Sequence, residues 1–411
     1  MADSTRSERT KQLRKERRRR LTLWFTINTS LLAAIGLVIL IGLRLDAWDL
    51  PSAPIDKAAE NTQAETIVED VPIVEVKETL SKGEAYKPPG SSTAGTEKKV
   101  SLTFVGDLIH AGRVADVVAK QGHDYPYTYV KDRFMNDDLT ISNVETPITS
   151  RGTPAQDKTF VYKSSPKMAK ALKDAGMDIV NLANNHILDQ GQQGLIDTFE
   201  HLSKANVSYV GAGRNEEQAY KPVIVTRNGI RIAVLGFSRV IPEVSWYAGK
   251  NKPGVAATYD STKAVKAIKQ AAKQSDLVIV IAHWGVERQD KPIPYQRELA
   301  RAYIDAGADL IIGGHPHVLQ GFEQYKNKWI VYSLGNFIFT RATEPKTWET
   351  MMLQAECTAT GACELQMKPY YTELGRAVPL TGAKGQALIK RVESISYHTR
   401  ISSEGIITYQ P

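Results

Sequence analysis

Residues 276–317 read DLVIVIAHWGVERQDKPIPYQRELARAYIDAGADLIIGGHPH, two apolar runs separated by a segment with helical spacing. Each apolar run ends in polar residues, as expected of a buried strand that reaches the edge of a sheet. In residues 296–308, apolar side chains recur every three or four positions, which predicts an amphipathic helix, and Gly307 suits its C-terminal cap. The stretch therefore predicts a strand, a helix and a second strand of an α/β fold.

The same alternation extends upstream to residue 100. Further buried strands are predicted at VSLTFVGD (100–107), DLTISNVE (138–145), DIVNLANNH (178–186), VSYVGAG (207–213) and RIAVLGF (231–237). Amphipathic helices are predicted at 165–177, 194–206 and 262–274. Apolar strands that alternate with helices are typical of an α/β core with a largely buried sheet. We assign residues 99–345 to one domain, and residues 346–411 to a β-rich extension of it that ends in a helix near 385–398.

Polar residues that could bind a metal follow the ends of five predicted strands. They are Asp107, His110, Asn143, Glu145, Asn184, Asn185, His186, His283, His315 and His317. The carboxyl ends of strands in open α/β sheets converge on one crevice, so these side chains are expected to meet. Carboxylate, amide and imidazole ligands suit one or two divalent ions of the Zn, Mn or Fe type.

Each of these residues also has an ordinary structural explanation. Asp107 could begin a turn, and a single histidine such as His283 after a strand is more often a hydrogen-bonded core residue. GGHPH at 313–317 is more specific, because two imidazoles two residues apart can face one side of an extended segment. Five of the eight histidines fall at strand ends, and this clustering favours a metal site.

The N-terminal segment predicts a membrane anchor. Residues 1–20 carry nine Lys or Arg against three Asp or Glu, so they hold most of the net charge of +7, and the rest of the chain gives no reason to expect nucleic-acid binding. The 23 uncharged residues 21–43 are long enough to span a bilayer core as a helix. A cleaved signal peptide is the alternative, but the apolar run is long for one and no clear cleavage site follows. The positive-inside rule places the N-terminus in the cytoplasm and the main domain outside the cell.

Two features characterise the part of the chain that follows the predicted anchor. Residues 44–98 contain many Pro, small and acidic residues and almost no aromatics, which predicts a disordered stalk. The two cysteines, Cys357 and Cys363, flank a Gly-containing turn, and in an oxidising compartment a disulfide between them is the preferred interpretation. A zinc site is disfavoured because no further cysteines accompany the pair.

Six motifs together carry a family resemblance. They are FVGDLIHAGR, SNVETPIT, NLANNHILDQG, AHWGVE, GGHPHVLQG and YSLGNFIF. In this order they resemble the CapA/PgsA-type capsule proteins over about residues 100–340. The resemblance implies a calcineurin-like metallophosphoesterase-type layered α/β sandwich and membrane anchorage. It also implies a role in the synthesis or export of poly-γ-glutamate, beside a membrane-bound synthase complex.

The resemblance also implies roles for individual residues. The metal ligands would be Asp107, Glu145, Asn185, His283, His315 and His317. His186 would be the general acid. From their positions after apolar strands, rather than from the resemblance, we expect Asn143, Asn184, His110 and Asn336 to contact substrate or support the site. Two departures from the metallophosphatase pattern weigh against a complete set of metal ligands. Ile109 stands where the pattern has a second ligand in its first segment, and His110 lies one residue further along. In the second segment, Asn-Val-Glu at 143–145 stands where the pattern has Gly-Asp.

Three functions remain open from the sequence. The chain could be an accessory protein of the capsule synthase, a metal-dependent extracellular hydrolase of phosphoesters or γ-glutamyl polymer, or a non-catalytic scaffold. For a hydrolase, the expected chemistry is attack by a metal-activated water, with His186 protonating the leaving group. No P-loop is present, so an ATP-dependent ligase step would belong to another protein.

Overall fold

The computed structural model describes residues 98–156, 158–340 and 343–411. The predicted basic tail, anchor and stalk up to residue 97 lie outside the described residues. Within the described ranges, no helix is both long and apolar enough to cross a bilayer.

The described residues form an alternating α/β chain that becomes richer in strands after residue 319. The strands are β1 (Lys99–Leu108), β2 (Leu139–Val144), β3 (Ile179–Asn181), β4 (Ser208–Val210), β5 (Ala212–Gly213), β6 (Val223–Arg227), β7 (Ile230–Ser238), β8 (Gly254–Val255), β9 (Leu277–His283), β10 (Leu310–Gly314), β11 (Leu319–Tyr325), β12 (Lys328–Leu334), β13 (Asn336–Ile338), β14 (Glu349–Thr358), β15 (Cys363–Glu373), β16 (Arg376–Pro379), β17 (Thr399–Ile401) and β18 (Ile406–Tyr409). The α-helices are α1 (Arg113–Gln121), α2 (Lys131–Phe134), α3 (Lys167–Asp174), α4 (Gly191–Lys204), α5 (Glu216–Tyr220), α6 (Thr262–Ala271), α7 (Pro294–Asp305) and α8 (Gly382–Ser394).

Two mixed sheets contain all of these strands except β5 and β8, which form a short antiparallel pair of their own. The ten-stranded sheet has the order β17-β18-β15-β14-β1-β2-β3-β4, with β13 also paired to β1 and β16 to β15. In it, β1 to β4 run parallel to one another, and β14 is antiparallel to β1. The six-stranded sheet has the order β11-β12-β10-β9-β7-β6, and its four central strands are parallel.

The sheets pack face to face, with helices on their outer sides. Residues of both sheets share one apolar cluster, in which Phe104 and Ile141 meet Ile279 and Leu310. Helices α3 and α4 cover the outer face of the first sheet, and α6 and α7 cover that of the second. The result is a layered α/β sandwich, as the sequence predicts.

Strand β9 shows why the decisive stretch is so apolar. Its alternate residues Ile279 and Ile281 face the core between the sheets, while Val278 and Val280 face the cluster formed with the outer helices. Both faces of the strand are buried, so its sequence is a continuous apolar run rather than an alternating one.

The predicted elements of residues 276–317 are present as β9, α7 and β10. The last part of the chain differs from expectation. Helix α8 ends at Ser394 and is followed by the antiparallel pair β17 and β18, so the predicted terminal helix is not the last element. The two short strands add to the edge of the first sheet through β15, a long-range pairing that local helical spacing could not reveal.

Candidate metal centre

The carboxyl ends of the central parallel strands place the predicted site residues side by side. Asp107 on β1 is directly opposite Asn143 on β2, and His283 on β9 is opposite Gly314 on β10. His315 follows Gly314, and its backbone N–H donates to Asp107 Oδ2 at 3.1 Å. This last bond joins a residue that follows the second sheet to a carboxylate of the first.

The side-chain amide of Asn143 lies at the centre of the group. Its Nδ2 is 2.8 Å from Asp107 Oδ1, 3.3 Å from His283 Nδ1 and 3.4 Å from Glu145 Oε2. The Oδ1 atom of Asn143 accepts hydrogen bonds from Asn181 at 2.9 Å. Asn143 therefore acts as a fixed donor that orients the two carboxylates.

The segment Asn184-Asn185-His186 follows β3 and closes one side of the group. Asn184 donates to Asn143 Oδ1 at 3.1 Å and to the backbone oxygen of Val144 at 2.8 Å. Asn185 Oδ1 lies 2.8 Å from His283 Nε2. The three consecutive polar residues are thus satisfied by contacts within the site.

Two overlapping sets of side chains have the geometry to hold a cation. Donor atoms of Glu145, His315 and His317 lie within 4.8 Å of one another, and so do those of Asp107, Glu145 and His283. Among the residues that the structure describes, the buried atoms Glu145 Oε1 and His315 Nδ1 have no hydrogen bond, although Glu145 Oε1 lies 3.4 Å from His283 Nε2. A buried polar atom without a hydrogen bond is costly, and a bound cation would satisfy both atoms.

The electrostatics of two of the imidazoles, His283 and His315, also fit a cation. Burial, with the nearby Asp107 carboxylate, raises the pKa of Glu145 well above its usual range. Burial lowers the pKa of His283 to about 4, and burial with the neighbouring imidazoles lowers the pKa of His315 well below its usual range. Both imidazoles are therefore neutral at pH 7, which is the form that binds a metal. Burial also depresses the pKa of His317, but the Glu145 and Asp107 carboxylates outweigh it and the pKa is raised.

The histidine segment after β10 has an unusual backbone. His315 has a φ of 96° and His317 a φ of 56°, values that non-glycine residues rarely adopt. Such conformations cluster at functional sites, where the surrounding structure holds them. Here the bond from the His315 N–H to Asp107 helps to hold the turn.

A second layer of residues, which the sequence reasoning missed, surrounds His186. Asp189 is fully buried, and its Oδ2 lies 2.7 Å from His186 Nδ1. Lys158 Nζ pairs with Asp189 and lies 3.2 Å from the same ring nitrogen, while the Tyr162 ring packs on His186 with centroids 4.4 Å apart. Asp189 could have been found from NNHILD, because an acid three residues after a histidine can reach its ring. Lys158 and Tyr162 lie in an irregular segment and carry no such signal.

The remaining predicted residues lie around or away from this centre. Asn336 Oδ1 is 2.8 Å from His317 Nδ1, a supporting position. His110 instead faces Tyr127, whose hydroxyl is 2.8 Å from Nε2, and burial lowers its pKa to about 3. Ile109 is buried in the apolar core. Cys357 and Cys363 are joined by a disulfide on β14 and β15.

Comparison with known proteins identifies the relatives of the chain. Residues 101–341 match the family described as "Bacterial capsule synthesis protein PGA_cap". The "Capsule biosynthesis protein CapA" of Bacillus anthracis is 36% identical over 292 residues, which are 70% of this chain and 71% of that protein. The "PGA biosynthesis protein CapA" of Bacillus subtilis is 37% identical over 272 residues, 66% of this chain and 71% of that protein. A "Probable polyglutamine synthesis accessory protein" of Mycobacterium tuberculosis is 34% identical over 211 residues, 49% of this chain and 55% of that protein.

Proposed function

Because this chain belongs to the bacterial capsule synthesis protein family, of the CapA/PgsA type, we propose that it is an accessory protein of poly-γ-glutamate capsule synthesis or export with a divalent-metal site. The metal site is supported by the two overlapping sets of ligand atoms, which include two buried atoms without a hydrogen bond. The names of the relatives support the capsule part. The overall design that we infer is that of a calcineurin-like metallophosphoesterase.

The residues that would hold one or two ions are Asp107, Glu145, Asn185, His283, His315 and His317. Their mixture of carboxylate, amide and imidazole groups suits Zn, Mn or Fe. When bound, such an ion supplies Lewis-acid stabilisation of charge on a phosphoryl or acyl oxygen. Asn143 orients the carboxylates through the bonds described above.

Hydrolysis of phosphoesters or γ-glutamyl bonds is the second candidate activity, and the pairing of His186 with Asp189 favours it. Asp189 engages Nδ1, which leaves Nε2 as the ring nitrogen that can give or take a proton. Burial lowers the pKa of His186, and the Asp189 bond and charge oppose that shift. Ile109, at the position of a further ligand, argues against a complete two-metal phosphatase centre.

The proposal extends to location and partners. We place residues 21–43 in the cell membrane as a single-pass anchor, the N-terminus in the cytoplasm and the main domain outside, next to the polymer and the membrane-bound synthase subunits. Cell fractionation with external protease checks this. The full-length chain should be in the membrane fraction and be cut from outside. Recovery of intact, protected chain would overturn the placement.

The metal content of the purified full-length chain tests the central proposal. We expect the wild type to hold one or two transition-metal ions per chain and a His315→Ala/His317→Ala variant to lose them. A His201→Ala/His398→Ala variant, which removes two histidines outside the site, should keep the metal. In cells that lack their own copy, the site variant should also fail to restore polymer production. Metal-free wild type would refute the metal site, and full restoration by the site variant would favour a non-catalytic scaffold.

A further inference from the structure

Arg239 follows the end of strand β7 beside His283, and its guanidinium has no anionic partner among the described residues. It follows Ser238, which pairs with His283 in the sheet, and its backbone N–H donates to the oxygen of His283 at 2.8 Å. No described carboxylate forms an ion pair with its guanidinium, and Nη1 is buried without a hydrogen bond. Lys158, the cation beside His186, is by contrast neutralised by Asp189.

Two tyrosine rings hold the Arg239 guanidinium. Its Cζ lies 4.2 Å from the ring centroid of Tyr259 and 5.2 Å from that of Tyr295. Stacking of this kind occupies the faces of the guanidinium and leaves its N–H groups to bind in the plane. We call Arg239, Tyr259 and Tyr295 the arginine clamp.

The clamp is fixed before any ligand arrives. The Tyr295 hydroxyl accepts a bond from the Gly285 N–H at 2.7 Å and donates to the Gly285 oxygen at 3.1 Å. The Tyr259 hydroxyl accepts a bond from the Ile241 N–H at 3.1 Å. Tyr259 is 48% exposed and Arg239 is partly exposed, although its Nη1 atom is buried. A site that is already ordered loses less entropy on binding.

A second arginine in the same protein shows what such a clamp binds. Arg297 stacks on Tyr397, with Cζ 4.4 Å from the ring centroid. Its Nε and Nη2 donate to the two oxygens of Glu323 at 2.9 and 3.0 Å. The stacked guanidinium there is completed by a bidentate carboxylate, the geometry that arginine prefers. Arg239 has the same stacking and lacks the carboxylate.

We propose that the arginine clamp is a substrate subsite that binds a carboxylate at the strand end beside His283. Under the proposed function, on which the identity of the ligand rests, this is the free α-carboxylate of a γ-linked glutamate residue. Each residue of such a polymer carries one carboxylate beside its amide bond. Binding it at Arg239 would hold the chain across the strand ends that carry His283.

Calorimetric titration of the full-length chain with a short γ-linked glutamate oligomer tests the subsite. Arg239→Gln should weaken binding by about ten- to a hundredfold, the usual loss for a charged hydrogen-bonded pair. Arg239→Lys should also weaken it, because an ammonium keeps the charge but not the fork. Arg400→Gln removes the same charge from an exposed position on β17 and should bind like the wild type. All four proteins should hold equal metal.

The outcomes separate this inference from the proposed function. Equal oligomer affinity in the wild type and Arg239→Gln, or no binding by the wild type, overturns the subsite, while metal content and polymer production still judge the proposed function. Titration with inorganic phosphate distinguishes the ligand class. If Arg239 is needed for phosphate but not for the oligomer, the carboxylate assignment is wrong. If Arg239→Gln does not fold, as judged by its melting curve, Arg239→Lys decides.

Discussion

At the scale of single residues, Gly313 and Gly314 make different contributions to the centre. A Cβ on Gly314 would lie 2.7 Å from Asp107 Oδ1, the end of a side chain that can move. A Cβ on Gly313 would instead collide with the backbone oxygen of Tyr332, which cannot. Gly313 is therefore needed for the fold itself, whereas Gly314 is needed for the position of the Asp107 carboxylate.

This difference gives a paired prediction. Gly314→Ala should fold normally but lose metal affinity by about ten- to a hundredfold, as displaced supporting contacts usually cause. Gly313→Ala should lose about 1–3 kcal/mol of stability through overpacking. Metal titration and chemical unfolding of both variants check this. Gly249→Ala, whose Cβ would meet Lys252 only at an ordinary 3.4 Å, serves as control. Unchanged metal affinity in Gly314→Ala would contradict the assignment of Asp107.

Asp137 provides a pH-dependent prediction away from the centre. Burial raises its pKa to about 6 from an ordinary 3.8. The folded state therefore holds the proton more tightly, so the stabilising contribution is present below about pH 4 and is lost as the pH rises through 6. Asp137→Asn should stabilise the protein at pH 7 by up to about 1 kcal/mol after solvent screening, and hardly at all at pH 4. Melting curves at pH 4 and pH 7 measure the change in stability, with Asp132→Asn as an exposed control. An equal effect of Asp137→Asn at the two pH values would contradict the prediction.

At the scale of elements, the strand–helix–strand order and the strand-end positions could be predicted from sequence. Apolar runs such as that of β9 are unambiguous because both faces are buried. His110 could not be placed in the same way, because its side chain turns to Tyr127 after β1 has ended. The pairing of β18 with β15 and the central role of Asn143 depend on contacts between distant segments, which no local pattern encodes.

The β14–β15 hairpin carries the prediction at this scale. Its disulfide joins residues that face each other, and Cys357 pairs with Val100 at the start of β1. Seven residues of strand, about 23 Å, separate Val100 from Asp107. Reduction should cost about 2 kcal/mol of stability, from the entropy of a short loop, and leave metal content unchanged. A reductant should shift the unfolding midpoint of the wild type but not that of Cys357→Ala/Cys363→Ala. Metal loss on reduction would contradict this separation.

At the scale of the whole folded unit, the candidate ligands come from both sheets. Asp107 and Glu145 belong to the first sheet and the loop after it, whereas His283 and His315 belong to the second. Behind the site, residues of both sheets pack together in one apolar cluster. A cation at the centre would therefore join the two sheets at one edge. It would also offset the repulsion between the carboxylates of Asp107 and Glu145.

This arrangement predicts that metal binding stabilises the fold as a whole. A ligand that binds only the folded state at a hundred times its Kd adds about 2.7 kcal/mol, so saturating Zn or Mn should raise the melting temperature of the metal-free wild type. His315→Ala/His317→Ala should not respond, because it keeps only His283 of the three imidazole ligands that the second sheet and the segment after it provide. Cys357→Ala/Cys363→Ala should respond like the wild type from a lower starting point, because its change lies at the opposite ends of the strands. If metal leaves the melting temperature of the wild type unchanged, or raises that of the histidine variant by the same amount, then no cation links the sheets.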